Sequence, residues 1–160
     1  MKDFMKAIVL AAMAALAVNA SAAESIVIST ELTRNGDIVD AYSVTTQSGV
    51  RKAYRNIEYK KYRKLINPNK ARLANLELGS TAYFTPYVAS DGTVRLTMDV
   101  NYVHLADMGT DKAGGLVVDY PRTDGYRLSI TDVIPSGGKR EYKDNDNGDE
   151  YVYTVSVDKQ

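Results

Sequence analysis

From Ser25 onward, apolar and polar residues alternate with a period of two through much of the chain, the period at which successive side chains of a strand face opposite sides. The alternation is cleanest over Thr93–Leu105, where Val94, Leu96, Met98 and Val100 share one face and Thr93, Arg95, Thr97 and Asp99 the other. That is the signature of a half-buried antiparallel strand, and Leu76–Val88, joined to it through Ser90-Asp91-Gly92, is its expected partner. Near the start, the β-branched runs Ser25–Thr30 and Asp37–Thr46 flank Asn35-Gly36, a dipeptide that accepts the positive φ angles of a tight hairpin. Gln47-Ser48-Gly49 reads as a second turn into Val50–Ile57, with Tyr54 and Ile57 as the buried positions.

Glu58–Ile66 is ambiguous. Tyr59, Tyr62 and Ile66 share a helical face, yet the aromatic content suits a strand equally well, and Asn67-Pro68-Asn69 then breaks the run. Ala106–Gly115 reads as a loop, Leu116–Tyr120 as a short apolar strand, and Tyr126–Ile134 as a further alternating strand through Leu128, Ile130 and Val133. After Pro135-Ser136-Gly137-Gly138, a last hairpin formed by Lys139–Lys143 and Glu150–Val157 turns at Asn147-Gly148. The expectation is an all-β fold: a single, mostly antiparallel sheet or sandwich domain of about seven to nine strands, over residues 23–160.

The first residues follow a different rule. Lys2 and Lys6 precede an unbroken apolar run of twelve, Ala7–Val18, and Ala20-Ser21-Ala22 supplies small residues for cleavage. Residues 1–22 therefore read as a secretory signal peptide, the apolar run being shorter than the roughly 20 residues that span a bilayer. No later run is comparable, so no transmembrane helix is expected in the mature chain. Export to the periplasm or the outer membrane is expected, ahead of release into the medium.

Composition narrows the chemistry. Of the 160 residues 44% are hydrophobic and 25% charged, enough apolar material for a core. The absence of Cys excludes a disulfide scaffold, a thiolate metal site, a cysteine nucleophile and a lipid-acylated anchor. The single His, His104, excludes a multi-histidine metal site, and it stands beside no nucleophile motif, so it reads as a structural or surface residue. No catalytic residue, cofactor or metal is expected. Asp144–Glu150 is rich in hard oxygen ligands but lacks the EF-hand spacing, Gly148 being fifth from Asp144; a polar hairpin turn is the preferred reading and weak calcium binding the alternative.

Charge is balanced overall, with 20 basic and 20 acidic residues, yet unevenly placed. Nine basic residues lie between Arg51 and Arg72 against the single acid Glu58. Arg51, Lys52, Arg55, Lys60, Lys61, Arg63 and Lys64, interleaved with Tyr54, Tyr59 and Tyr62, form the candidate partner-binding stretch. Such a stretch suits nucleic acid in principle, but export argues against it and favours anionic headgroups at a membrane periphery, a polysaccharide or an acidic protein surface. A solvated strand face is the plain alternative. Asp144, Asp146, Asp149 and Glu150 form an acidic cluster that can attract the basic stretch of another subunit in head-to-tail association.

The segment Leu76–Leu96 resembles the strand-turn-strand signature of bacterial secretins. Gly79 precedes Pro86 by seven residues, the Asp91-Gly92 turn follows, and Val94 and Leu96 fall in register on the next strand. Pro86 suits the end or edge of a strand, where a missing N–H is harmless. Gln47–Val50 and Leu128–Thr131 ahead of Ser136-Gly137-Gly138 echo two further secretin segments, whereas Ala82 stands where the family carries a larger apolar residue and no Val-Pro-x-Leu-Gly gate motif is found. Residues 23–160 are too few for a complete secretin, so the resemblance implies a reduced module rather than a channel. It implies a non-enzymatic exported envelope protein, a structural or interaction component of a secretion, pilus or conjugation apparatus that associates with itself or with that assembly. The alternative is a soluble periplasmic or secreted binding module for a glycan or small ligand, using the tyrosine-rich surface.

Overall fold

Eight strands take up most of residues 24–160, the residues that the computed structural model describes. The expected signal peptide at 1–22 lies outside them. The strands are β1 Ser25–Arg34, β2 Asp37–Gln47, β3 Lys52–Asn67, β4 Lys70–Val88, β5 Val94–Ala113, β6 Leu116–Ile134, β7 Gly138–Asp146 and β8 Asp149–Lys159. They form two four-stranded sheets, ordered β2-β1-β8-β7 and β3-β4-β5-β6, and all six strand pairings are antiparallel. The all-β expectation holds, and the strand count falls inside the expected range.

Alternation explains how the sheets face each other. Ile26, Ile28 and Leu32 of β1 with Tyr151, Tyr153, Val155 and Val157 of β8 point inward from the middle of the first sheet. Phe84 of β4 and Val94, Leu96, Met98 and Val100 of β5 meet them from the middle of the second. Phe84, Leu96 and Met98 are fully buried, each such side chain contributing about 1.5–3 kcal/mol by leaving water. The flanks are tied by aromatics. Tyr42 of β2 stacks on Tyr54 of β3 with ring centroids 3.7 Å apart, and the Tyr142 hydroxyl of β7 donates to Asp132 of β6 at 2.7 Å.

Both Asn-Gly dipeptides make two-residue hairpins, with φ of 52° and 88° at Asn35-Gly36 and 50° and 90° at Asn147-Gly148. The turns also hold each other: the Asn35 amide donates to the Glu150 carbonyl and the Glu150 amide to the Asn35 side chain, both at 2.8 Å. Pro86 lies past Phe84, the partner of the first residue of β3, and its carbonyl accepts a bond from the Gly49 amide at 2.6 Å. Its absent N–H therefore faces a turn and removes no ladder bond, as the edge argument requires.

One ambiguity is resolved and two expectations are corrected. Glu58–Ile66 is strand throughout, and Ala106–Gly115 is not a loop: β5 runs on to Ala113 and only Gly114-Gly115 turns. Leu116–Tyr120 and Tyr126–Ile134 are one strand, β6, which carries Pro121 as an edge strand can. Asp107, Gly109 and Asp111 are poor strand formers by themselves, but each is paired across to β6, and a bulge between Leu105 and Asp107 absorbs the irregularity.

Candidate interaction surface

The second sheet splits at one row of residues. β4 and β5 pair only over Gly79–Val88 and Val94–Val103, while β3–β4 and β5–β6 stay paired far beyond. In that row Val103 lies opposite Gly79 on one side and Gly125 on the other. At Gly79, where φ is 103°, a Cβ would collide with the Asn56 carbonyl oxygen, and at Gly125 it would collide with that of Tyr102. Only glycine lets the backbones approach this closely where the sheet divides. Past it, residues 58–78 and 104–124 continue as two two-stranded ribbons, each about 30 Å long at roughly 3.3 Å per residue. No member of the core cluster belongs to either ribbon.

At the fork lies a cavity of about 380 Å³ lined among others by Asn56, Glu58, Lys60, Tyr102 and His104. The ribbons meet again near their far ends, where Gly114 approaches the Pro68 carbonyl and Arg63 grips Asp119. The Arg63 backbone amide donates to Asp119 at 2.7 Å, and its Nε and Nη2 donate at 3.0 and 2.7 Å. The guanidinium first, then the Arg63 amide and the Thr110 hydroxyl, hold the Asp119 carboxyl well below the usual carboxylate range.

The basic stretch is divided by strand geometry. Alternation along β3 sends Lys52, Tyr54, Lys60, Tyr62 and Lys64 to one face and Arg55, Tyr59, Lys61 and Arg63 to the other, while Arg51 lies just ahead of the strand. Tyr54 is half-buried and donates to Asp40 at 2.9 Å; burial, then Asp40, pushes its hydroxyl up to about 12. Arg55 donates to the Tyr59 hydroxyl and to Glu77, both at 3.1 Å. Arg51 lies over the Tyr83 ring. Lys60, Lys61 and Lys64 are exposed and make no ion pair among the described residues.

The acidic turn does not meet the basic stretch within the chain. Asp149 pairs with Arg34 at 2.8 Å, and Asp146 accepts from the Gly125 amide at 2.9 Å. The acidic counterpart is the other ribbon. Residues 58–78 hold six basic residues against two acids, whereas 104–124 hold four aspartates against two basic residues. These aspartates are spaced along the sequence rather than clustered, which is why charge runs alone do not reveal them. Large apolar side chains are exposed on the ribbons as well, with Leu73 67% and Ile66 44% accessible. Among the described residues no group of three or more His, Asp or Glu is placed to hold a metal ion, and no helix is long and apolar enough to cross a membrane.

No family model matches the sequence, and no curated protein matches it significantly. Solved structures do match. The InvG secretin domain β-barrel from the Salmonella SPI-1 injectisome NC-base superposes with a TM-score of 0.52 and 12% identity, covering 86% of this chain and 61% of that one. The Salmonella SPI-1 type III secretion injectisome secretin InvG gives 0.51 and 11% over the same shares. An atomic model of the basal body proteins InvG, PrgH and PrgK gives 0.51 and 11%, covering 43% of that chain. The fold is secretin-like. At this identity the likeness is one of architecture, and the chain spans about 61% of the first-named InvG structures. Within this secretin-like fold, the residues quoted for the resemblance fall where their chemistry counts. Gly79 sits at the fork, Pro86 lies past the partner of the first residue of β3, Asp91 caps the turn by accepting from the Thr93 amide at 2.9 Å, and Val94 and Leu96 are buried.

Proposed function

We propose that this chain is a non-enzymatic, exported envelope protein, its residues 23–160 a secretin-like module that serves as a structural component of a secretion, pilus or conjugation apparatus. The observation that carries this is the pair of oppositely charged ribbons projecting from a secretin-like sandwich. β3 and β6 are the edges of their sheet, and an exposed edge offers unpaired backbone groups to another chain. Lys60, Lys61 and Lys64 of one copy then face the aspartates of the next other than Asp119, which Arg63 holds within its own chain, and this aligns the partners and speeds encounter. The periplasm or outer membrane is the place where such a component works.

The test is the mass of purified residues 23–160 by light scattering over a concentration series at low and high salt. An oligomer that shrinks as salt screens charge is expected, and the triple reversal Lys60→Glu, Lys61→Glu and Lys64→Glu should shift it toward monomer. A monomer under every condition would remove self-assembly from the proposal.

A further inference from the structure

The outward face of the second sheet carries a chemistry different from that of the ribbons. Strand register places Arg127 of β6, Asn101 of β5 and Thr81 of β4 side by side, with Ser129, Asp99 and Tyr83 in the next row and Arg95 beside Tyr87 at the far end. The basic side chains of this face are arginines: Arg51, Arg55, Arg95 and Arg127. Arg55 is engaged by Glu77, whereas Arg51, Arg95 and Arg127 make no ion pair among the described residues. The acid among them, Asp99, already accepts the Ser129 hydroxyl at 2.6 Å.

Two tyrosines shape the face. Tyr83 and Tyr87, four residues apart on β4 and so on one face, are 43% and 44% accessible. Each carries a guanidinium, that of Arg51 4.1 Å from the Tyr83 centroid and that of Arg95 5.2 Å from the Tyr87 centroid. A guanidinium laid on a ring loses rotational freedom while its N–H edge stays available, so it is preset to fork a planar anion. Between the Arg51–Tyr83 stack and Arg127 opens a cleft of about 330 Å³ that Thr81, Asn101 and Ser129 also line.

The cleft thus offers two guanidinium forks, one aromatic wall and a floor of hydroxyl and amide groups, together with the Asp99 carboxylate, which the Ser129 hydroxyl engages and the two arginines outnumber. Forked, planar donors match carboxylates in geometry as well as charge. Neutral donors and acceptors beside an aromatic ring match the hydroxyls and the apolar face of a sugar. We propose that this face binds a carboxylated glycan, one built of uronic acid units, with Arg51 and Arg127 on its carboxylates, Tyr83 against a ring, and Asn101 and Thr81 on its hydroxyls. The site lies on the sandwich, away from the ribbons, and does not depend on self-assembly.

Calorimetric titration of residues 23–160 with hexagalacturonate, and with maltohexaose as the neutral counterpart, tests the assignment. Saturable binding of hexagalacturonate alone is expected. Arg51→Gln and Arg127→Gln should each weaken it about tenfold or more, the loss of one charge-assisted hydrogen-bonded contact. Arg127→Lys keeps the charge but not the fork and should also weaken it, while the ribbon double variant Lys61→Gln, Lys64→Gln should leave it unchanged. Thermal unfolding of each variant checks that the sandwich is intact. Absence of binding at millimolar ligand, equal binding of maltohexaose, or equal loss in the ribbon variant would each overturn the proposal, the last by revealing diffuse charge attraction instead of a site.

Discussion

Gly79 and Gly125 flank Val103 at the row where the second sheet divides, and each lies against a neighbouring carbonyl that a side chain would strike. Gly92 has a comparable φ of 82° but open space around its missing Cβ, so it separates conformational strain from collision. Gly92→Ala should cost about 1–3 kcal/mol by strain alone. Gly79→Ala should cost more, because the Asn56 strand must also move. Denaturant unfolding of the two variants checks the ranking, and equal losses would mean that the close approach at the fork is not under constraint. Gly79 drew notice in the sequence only through its distance from Pro86. Gly125 gave no comparable signal beyond being a glycine inside a strand-like run, which marks a close backbone approach without saying to what.

Each ribbon is a long hairpin that no second sheet covers, and Arg63–Asp119 is the ion pair found between them among the described residues. The native Asp119 value lies below that of an unfolded carboxyl, so the grip is fully present above about pH 4, weakens as the pH falls through that value, and is gone once the pH drops below the native one. Titration of the Arg63 amide by NMR should therefore show a transition displaced to the acid side of ordinary aspartates. Asp119→Asn should speed hydrogen exchange at Arg63 and leave core amides such as Leu96 unchanged; an ordinary titration or unaltered exchange would show that the ribbons are held by something else. The hairpin turns were legible in the sequence because Asn-Gly dictates backbone angles locally. The distal half of β5 was not, since Asp107, Gly109 and Asp111 are strand only by virtue of β6 beside them. For Glu58–Ile66 the periodicity fits either helix or strand, and pairing with β4 decides it.

The main core cluster draws on sandwich residues alone, and the buried side chains of the ribbons, Val118 and Leu78, stand outside it, so stability and projection are largely separable. Replacing residues 59–77 and 105–123 each with Asn-Gly removes the buried Val118 but no member of the main core cluster, and should leave a β-rich chain that still unfolds cooperatively, with a midpoint within about 10 °C of the parent. It should also abolish self-assembly; calorimetry and light scattering read the two outcomes, and a chain that no longer folds would place structural weight on the ribbons. Alternation in the sequence announced the sheets and most of their inward faces, but side-chain period carries no information on which strand lies next to which. The pairing of β1 with β8 is the clearest case, Ile26 lying opposite Lys159 and the Gln160 amide bonding to the Ser25 carbonyl. It also sets an order in time. The hairpins and the β3–β6 meander join strands close in sequence and can zip locally, whereas the centre of the first sheet waits for a loop closure spanning nearly the whole described chain. A polypeptide synthesised from its amino end carries β1 with one edge unpaired until the last strand arrives. Folding thus commits at its final step, and until then the chain remains open enough to be passed on or captured by another.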